Sequence, residues 1–198
     1  MNTFFTGTVR SAAFVVAAMA VSFTAQAQTT LRLDAPATQV TDVTIGAGAS
    51  AATNFNAADS LATRATTDYN LLRRALLKFD TQNTIAAKSV IQSAVMTLTL
   101  KAAGADVARD LTVFPVTLSW VQEEANWSRA RAGSAWISAG GDFGPAAVVQ
   151  SVPNVAGAKV TFDVTALVRA AVSGASASRY TRLALADLRS ALEALESA

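Results

Sequence analysis

The sequence contains no cysteine and no histidine. Without cysteine there is no disulfide framework and no thiol nucleophile, so stability has to come from a packed core and backbone ladders. Without histidine the commonest general base and the imidazole metal ligand are absent, which excludes serine–histidine–aspartate hydrolysis and zinc chemistry of the usual kinds. Charge of one sign is also scarce. Sixteen Lys and Arg face fourteen Asp and Glu, for a net charge of +2. No basic block stands out, and phosphate backbones are held by clustered Lys and Arg, so nucleic acid is excluded as a partner. Long hydrophobic runs are missing too. The stretch from Ser11 to Phe23 covers 13 residues, short of the roughly 20 that span a hydrocarbon core, so no membrane span is expected.

That short run has a different meaning at the N-terminus. Arg10 precedes it and Ala25-Gln26-Ala27 follows it, giving the charged, apolar and small-x-small regions of a cleavable leader. Residues 1–27 are therefore expected to be a signal peptide and the protein to be secreted. Removing Arg10 with the leader lowers the net charge by one, to +1. Residues 28–187 have the size of one domain, and residues 188–198 form a tail.

Within that domain, short alternating runs are separated by Gly, Ala, Ser, Thr and Asn. Leu31-Arg32-Leu33 and Val43-Thr44-Ile45 predict early strands, and Gly46 to Asn56 a loop. Arg74 to Asp80 puts Ala75, Leu77 and Phe79 on one face and Arg74, Lys78 and Asp80 on the other. Ala94 to Lys101 alternates likewise. Leu111 to Trp120 is apolar on both faces, as a covered strand is. Val148-Val149, Val160 to Val164 and Tyr180 to Ala186 complete the set. Two segments have helical spacing. Thr165 is placed to cap a helix carrying Leu167, Val168, Ala171 and Val172, which Gly174 ends, and Leu188, Leu192 and Leu195 make an amphipathic C-terminal helix. Many short strands with turn-rich connections predict an all-β sandwich with short helical segments.

The order of these segments resembles the DNRLRE-type domain, a jelly-roll module classed among carbohydrate-binding modules of secreted and cell-surface bacterial proteins. Asn54-Phe55-Asn56 with Leu61 resembles its "N-aromatic-G … L" loop, with Asn56 standing where glycine is usual. Arg74-Ala75-Leu76-Leu77-Lys78-Phe79-Asp80 resembles "R-x-L-L-x-F-D", and Ile91-Gln92-Ser93-Ala94 with Leu98-Thr99-Leu100 the segment after it. Trp120 to Trp127 resembles "W-x-E-x-x-x-T-W", continued by Trp136 and Gly140-Gly141-Asp142-Phe143, and Phe162 to Val168 resembles "F-D-V-T-x-x-V". The chain ends in Leu188–Ala198 where the family has a closing "P-x-L-x-V" strand. The resemblance implies a jelly-roll sandwich that binds a polysaccharide, an acidic one such as alginate among the candidates, without catalysis. The alternative is a structural or adhesive cell-surface or matrix protein that binds other proteins.

Several side chains are candidates for that binding, each with a plainer role beside it. Trp120, Trp127 and Trp136 could stack on the C–H faces of sugar rings, or fill the core. Arg73, Arg74 and Lys78, with Arg64 nearby, could pair with uronic-acid carboxylates, or form a solvated face answering Asp68 and Asp80. Asp142 in its glycine loop could ligate a structural calcium ion, or close a turn. No other cofactor is expected. Glu123 and Glu124 are the one adjacent acid pair near the tryptophans, but neighbours along a strand point apart, so no catalytic residue is assigned.

Overall fold

Period-two alternation builds nearly every element of the chain. The computed structural model describes residues 5–7, 13–18, 29–33, 39–86, 89–102, 109–173 and 181–187. The strands are β1 (Phe5–Gly7), β2 (Ala13–Ala18), β3 (Thr29–Leu33), β4 (Val40–Gly46), β5 (Leu61–Thr63), β6 (Arg73–Phe79), β7 (Ile91–Ala102), β8 (Arg109–Pro115), β9 (Arg129–Arg131), β10 (Ser134–Ala135), β11 (Val148–Val152), β12 (Lys159–Asp163) and β13 (Thr181–Asp187). Two helices accompany them, α1 (Thr81–Thr84) and α2 (Thr165–Ser173). Of the expected leader only β1 and β2 are described, and the expected C-terminal helix lies outside the described residues.

All strand pairs are antiparallel, and they form a β-sandwich. One sheet runs β3-β2-β7-β1-β5, with β12 on the other edge of β7. The second runs β11-β8-β13-β6-β4, and β9 with β10 makes a separate ribbon. Between the sheets lies the main core. Ala75, Leu77 and Phe79 of β6 meet Ala94, Met96, Leu98 and Leu100 of β7 and Val160 and Phe162 of β12, all at most 3% exposed. Each large apolar side chain buried there contributes about 1.5–3 kcal/mol. Helix α2 closes one end with Val168 and Ala171. It is tied to β7 by Arg169, whose guanidinium donates to the carbonyls of Ile91 and Gln92 at 2.8 Å each. Thr165 is the first helical residue rather than the cap. Its hydroxyl accepts the N–H of Ala94 at 2.9 Å, and Asp163 accepts the N–H of Thr165 at 3.0 Å.

The strand expected over Leu111 to Trp120 stops at Pro115, where the ring leaves no N–H to extend the ladder. Beyond it the chain leaves the sheet and folds back over the second sheet's outer face, together with the segment from Ala47 to Leu72. A second core lies under this cover. Leu76, Phe114 and Ala184 of the strands pack there with Trp120, Trp127 and Trp136 of the loops. Apolar character on both faces of β8 thus reflects two cores, one on each side of the second sheet.

Candidate functional site

The covered face of β6 carries its even-numbered residues. Arg74 is 3% exposed. Its guanidinium lies 4.8 Å from the Trp127 ring and 5.2 Å from the Phe143 ring, and donates to the Gly140 carbonyl at 2.9 Å. Burial pushes its pKa down to about 10, so it stays charged at neutral pH. Gly140 is required for this contact. Its φ is +90°, and a Cβ there would stand 2.6 Å from both Arg74 Nη1 and the Trp127 ring. Arg74 is therefore the pin that holds the loop cover to the sheet, and it presents nothing to a ligand.

The three tryptophans belong to the same cover. Trp120, Trp127 and Trp136 are 1%, 2% and 6% exposed. Trp127 donates its Nε1–H to the Tyr69 hydroxyl at 2.7 Å and meets that ring edge-on at 5.9 Å. Trp136 donates to the Asn126 carbonyl at 2.8 Å. No face of these rings is open for a sugar to stack on, so the expected indole platform does not form in this arrangement. Asn54 clamps the cover from the other side, donating to the carbonyls of Gln122 and Ala125 at 2.7 Å each.

Arg73, Arg74 and Lys78 do not make one basic group. Arg73 begins β6 at the end of the sheet. Its guanidinium donates to Leu72 O at 2.9 Å and Ser50 Oγ at 3.2 Å and lies 5.7 Å from the Phe55 ring. Burial first, and then the charge of Arg64 across a two-residue bridge, lower its pKa.

Asp142 closes a turn. Its carboxylate oxygens accept the N–H groups of Ser138 at 3.0 Å and Ile137 at 3.1 Å. Among the described residues no three acidic side chains gather as a metal site, so the calcium expectation gains no geometric support from Asp142. Glu123 and Glu124 lie in a turn rather than on a strand. Glu124 accepts the N–H of Ala132 at 2.7 Å, while Glu123 is exposed.

Lys78 is the exception among the candidates. Strand register places Thr41, Lys78 and Arg182 side by side on β4, β6 and β13. Both cations are half-buried. The Lys78 ammonium lies 5.0 Å from the Trp120 ring. Burial and then the charge of Arg182 lower its pKa, opposed by Glu123 and Asp80. Like charges directly opposite each other across a strand pair are destabilising. Two neighbouring cations in a partly desolvated row are suited to a carboxylate, which relieves their repulsion and accepts charge-assisted hydrogen bonds.

Arg182 was not among the expected site residues. Its strand is legible in the alternation of Arg182-Leu183-Ala184-Leu185, but its neighbour Lys78 is distant in sequence and only the pairing of β13 with β6 brings the two together. Tyr69 was also missed. It is 51% exposed and is the most open aromatic ring among the described residues, in a loop whose sequence carries no strand or helix period.

No curated protein matches the chain. The model of carbohydrate-binding module family 96 matches residues 34–184, which takes in both sheets' central strands, the loop cover and the Lys78–Arg182 row, and the chain belongs to that family.

Proposed function

We propose that this protein is a secreted, non-catalytic module that binds an acidic polysaccharide, with Lys78 and Arg182 as the carboxylate-binding pair. Family membership supports a carbohydrate ligand. The observation that favours an acidic one is the cross-strand pairing of two half-buried cations. The indole rings are buried, so charge rather than stacking dominates recognition. Tyr69, 51% exposed, offers a ring to a long chain. The DNRLRE-type resemblance implies a polysaccharide-binding sandwich, and export through a leader fits a ligand met outside the cell.

Isothermal titration calorimetry with alginate, polygalacturonate and a neutral glucan tests this. Uronic polymers should bind and raise Tm, the neutral glucan should not, and affinity should fall as salt rises. The Lys78→Gln/Arg182→Gln double variant should keep its fold and lose about tenfold or more in affinity, each charge-assisted bond being worth about 1.5–3 kcal/mol. Equal binding by the double variant, or equal binding of neutral and acidic polymers, refutes the assignment.

A further inference from the structure

The first sheet has an interior strand supplied by the apolar run near the N-terminus. β7, at twelve residues, is the longest strand. One of its edges pairs with β12 over Val95–Thr99, and the other with β2 over Ile91–Thr97 and with β1 at Leu100 and Ala102. β2 in turn pairs with β3 from Phe14↔Leu33 to Ala18↔Thr29. Among the described residues β3 has no other ladder partner. β2 is thus flanked on both sides, and its place lies between two edges that would stand about 10 Å apart without it, twice the usual strand spacing.

The sequence of β2, Ala-Phe-Val-Val-Ala-Ala, suits that place. Position 14 falls at the register of Met96 and Leu33, and position 16 at that of Ala94 and Leu31. Met96, Ala94 and Leu33 are 0%, 0% and 2% exposed. This strand bears no charge. Yet the same six residues lie in the apolar region of the expected leader, which has to be free of the sheet to meet a membrane. Folding into the sheet and presentation to a membrane exclude each other.

We propose that the space between β7 and β3 is a strand-acceptor groove. Its occupant in the full chain is the chain's own residues 13–18, held by the two ladders and by register-matched apolar positions rather than by the covalent link to the domain. In the full chain the apolar run is paired along both edges. Separation of that run from the domain leaves it bound as a peptide, and only its departure opens the groove. This goes beyond polysaccharide binding and concerns the opposite sheet, so the two stand or fall separately.

The test uses the full chain. Hydrogen exchange of the unaltered protein should show the amides of Ala13–Ala18 and of the facing segment of β7 protected at least a hundredfold over a free peptide. A specific protease site placed between residues 27 and 29 then allows the chain to be cut while folded. Size-exclusion chromatography with mass spectrometry should find the 1–27 fragment co-eluting with the domain, released only as denaturant unfolds it. Introducing Val16→Asp into the cleavable chain should reduce retention at least tenfold. Free-peptide exchange rates at residues 13–18, or a fragment that leaves or precipitates on cutting while the domain stays folded, overturn the proposal. The exchange measurement decides the matter even where the Val16→Asp chain fails to fold.

Discussion

Replacing Arg74 tests whether the loop cover is pinned as described. Truncation by Arg74→Ala removes a charge-assisted hydrogen bond to the Gly140 carbonyl at 2.9 Å, worth about 1.5–3 kcal/mol. It also removes two ring contacts, at 4.8 Å to Trp127 and 5.2 Å to Phe143, worth about 1–2 kcal/mol each when desolvated. Release of the guanidinium into water offsets part of this, because burying a charge itself costs several kcal/mol. A net loss of about 3–5 kcal/mol follows. Arg74→Met keeps most of the volume and the apolar contact with both rings, and removes the buried charge together with the bond. It should cost only about 1–2 kcal/mol. Urea unfolding followed by tryptophan fluorescence reads both, since Trp127 is the stacking partner. With a slope of about 2 kcal/mol/M, the alanine midpoint should fall by about 1.5–2.5 M and the methionine midpoint by less than half as much. An alanine midpoint within about 0.3 M of the parent would show that the cover does not depend on this side chain. A methionine variant as damaged as alanine would show that the charge, not the filled space, is what matters. Both variants, where folded, should bind uronic polymers as the parent does, because Arg74 is enclosed.

Three further substitutions probe the fold. Asp42 on the edge strand β4 is half-buried, and desolvation raises its pKa from 3.8 to about 6. The folded state therefore holds a proton that the unfolded state has lost between those pH values. Stability attributable to Asp42 is greatest below about pH 4 and declines as pH rises through about 6. The full difference corresponds to about 3 kcal/mol at 1.36 kcal/mol per pH unit, and partial exposure reduces it to about 1–2 kcal/mol. Asp42→Asn should remove that slope and raise the urea midpoint at pH 7, and an unchanged pH profile would contradict the desolvation. Trp127→Phe deletes the 2.7 Å bond to Tyr69, whereas the indole N–H of Trp120 has no acceptor among the described residues. Both changes open a similar cavity, so Trp127→Phe should cost about 1 kcal/mol more than Trp120→Phe by the same urea assay.

Much of the sandwich is legible in the sequence because alternation sets both strand and face. Ala75, Leu77 and Phe79 are all buried between the sheets as their spacing requires. The other face of β6 is where sequence reasoning fails. Arg74 and Lys78 have the composition of a solvated surface, yet a long loop returns over them. Local pattern carries no information about a cover assembled from residues 47–72 and 116–147. Tryptophan has the same ambiguity, since a ring able to stack on sugar is equally able to fill a core, and only tertiary contact chooses. The short elements β5, β9, β10 and α1 fall below the length at which periodicity can be read. β2 was hidden for a different reason. Its residues carry two consistent patterns, a leader's apolar region and a buried strand, and neither excludes the other at the level of sequence.

The position of the cationic pair follows from the same cover. A sandwich ordinarily offers a ligand the open face of one of its sheets, but here that face is closed by aromatic side chains whose polar ends are largely bonded inside. Rings used to fasten loops are not open for stacking, so on the proposed reading recognition falls to the half-buried cations. The row from Thr41 through Lys78 to Arg182 is half-buried. Water screens the cations too little to cancel their repulsion, and Glu123 and Asp80 relieve Lys78 only in part. A carboxylate bridging the pair would thus gain more there than at a fully solvated site, where such pairs are worth little. On the proposed reading, the partial burial of Lys78 and Arg182 is what would make a bridging carboxylate worth more than at the open surface.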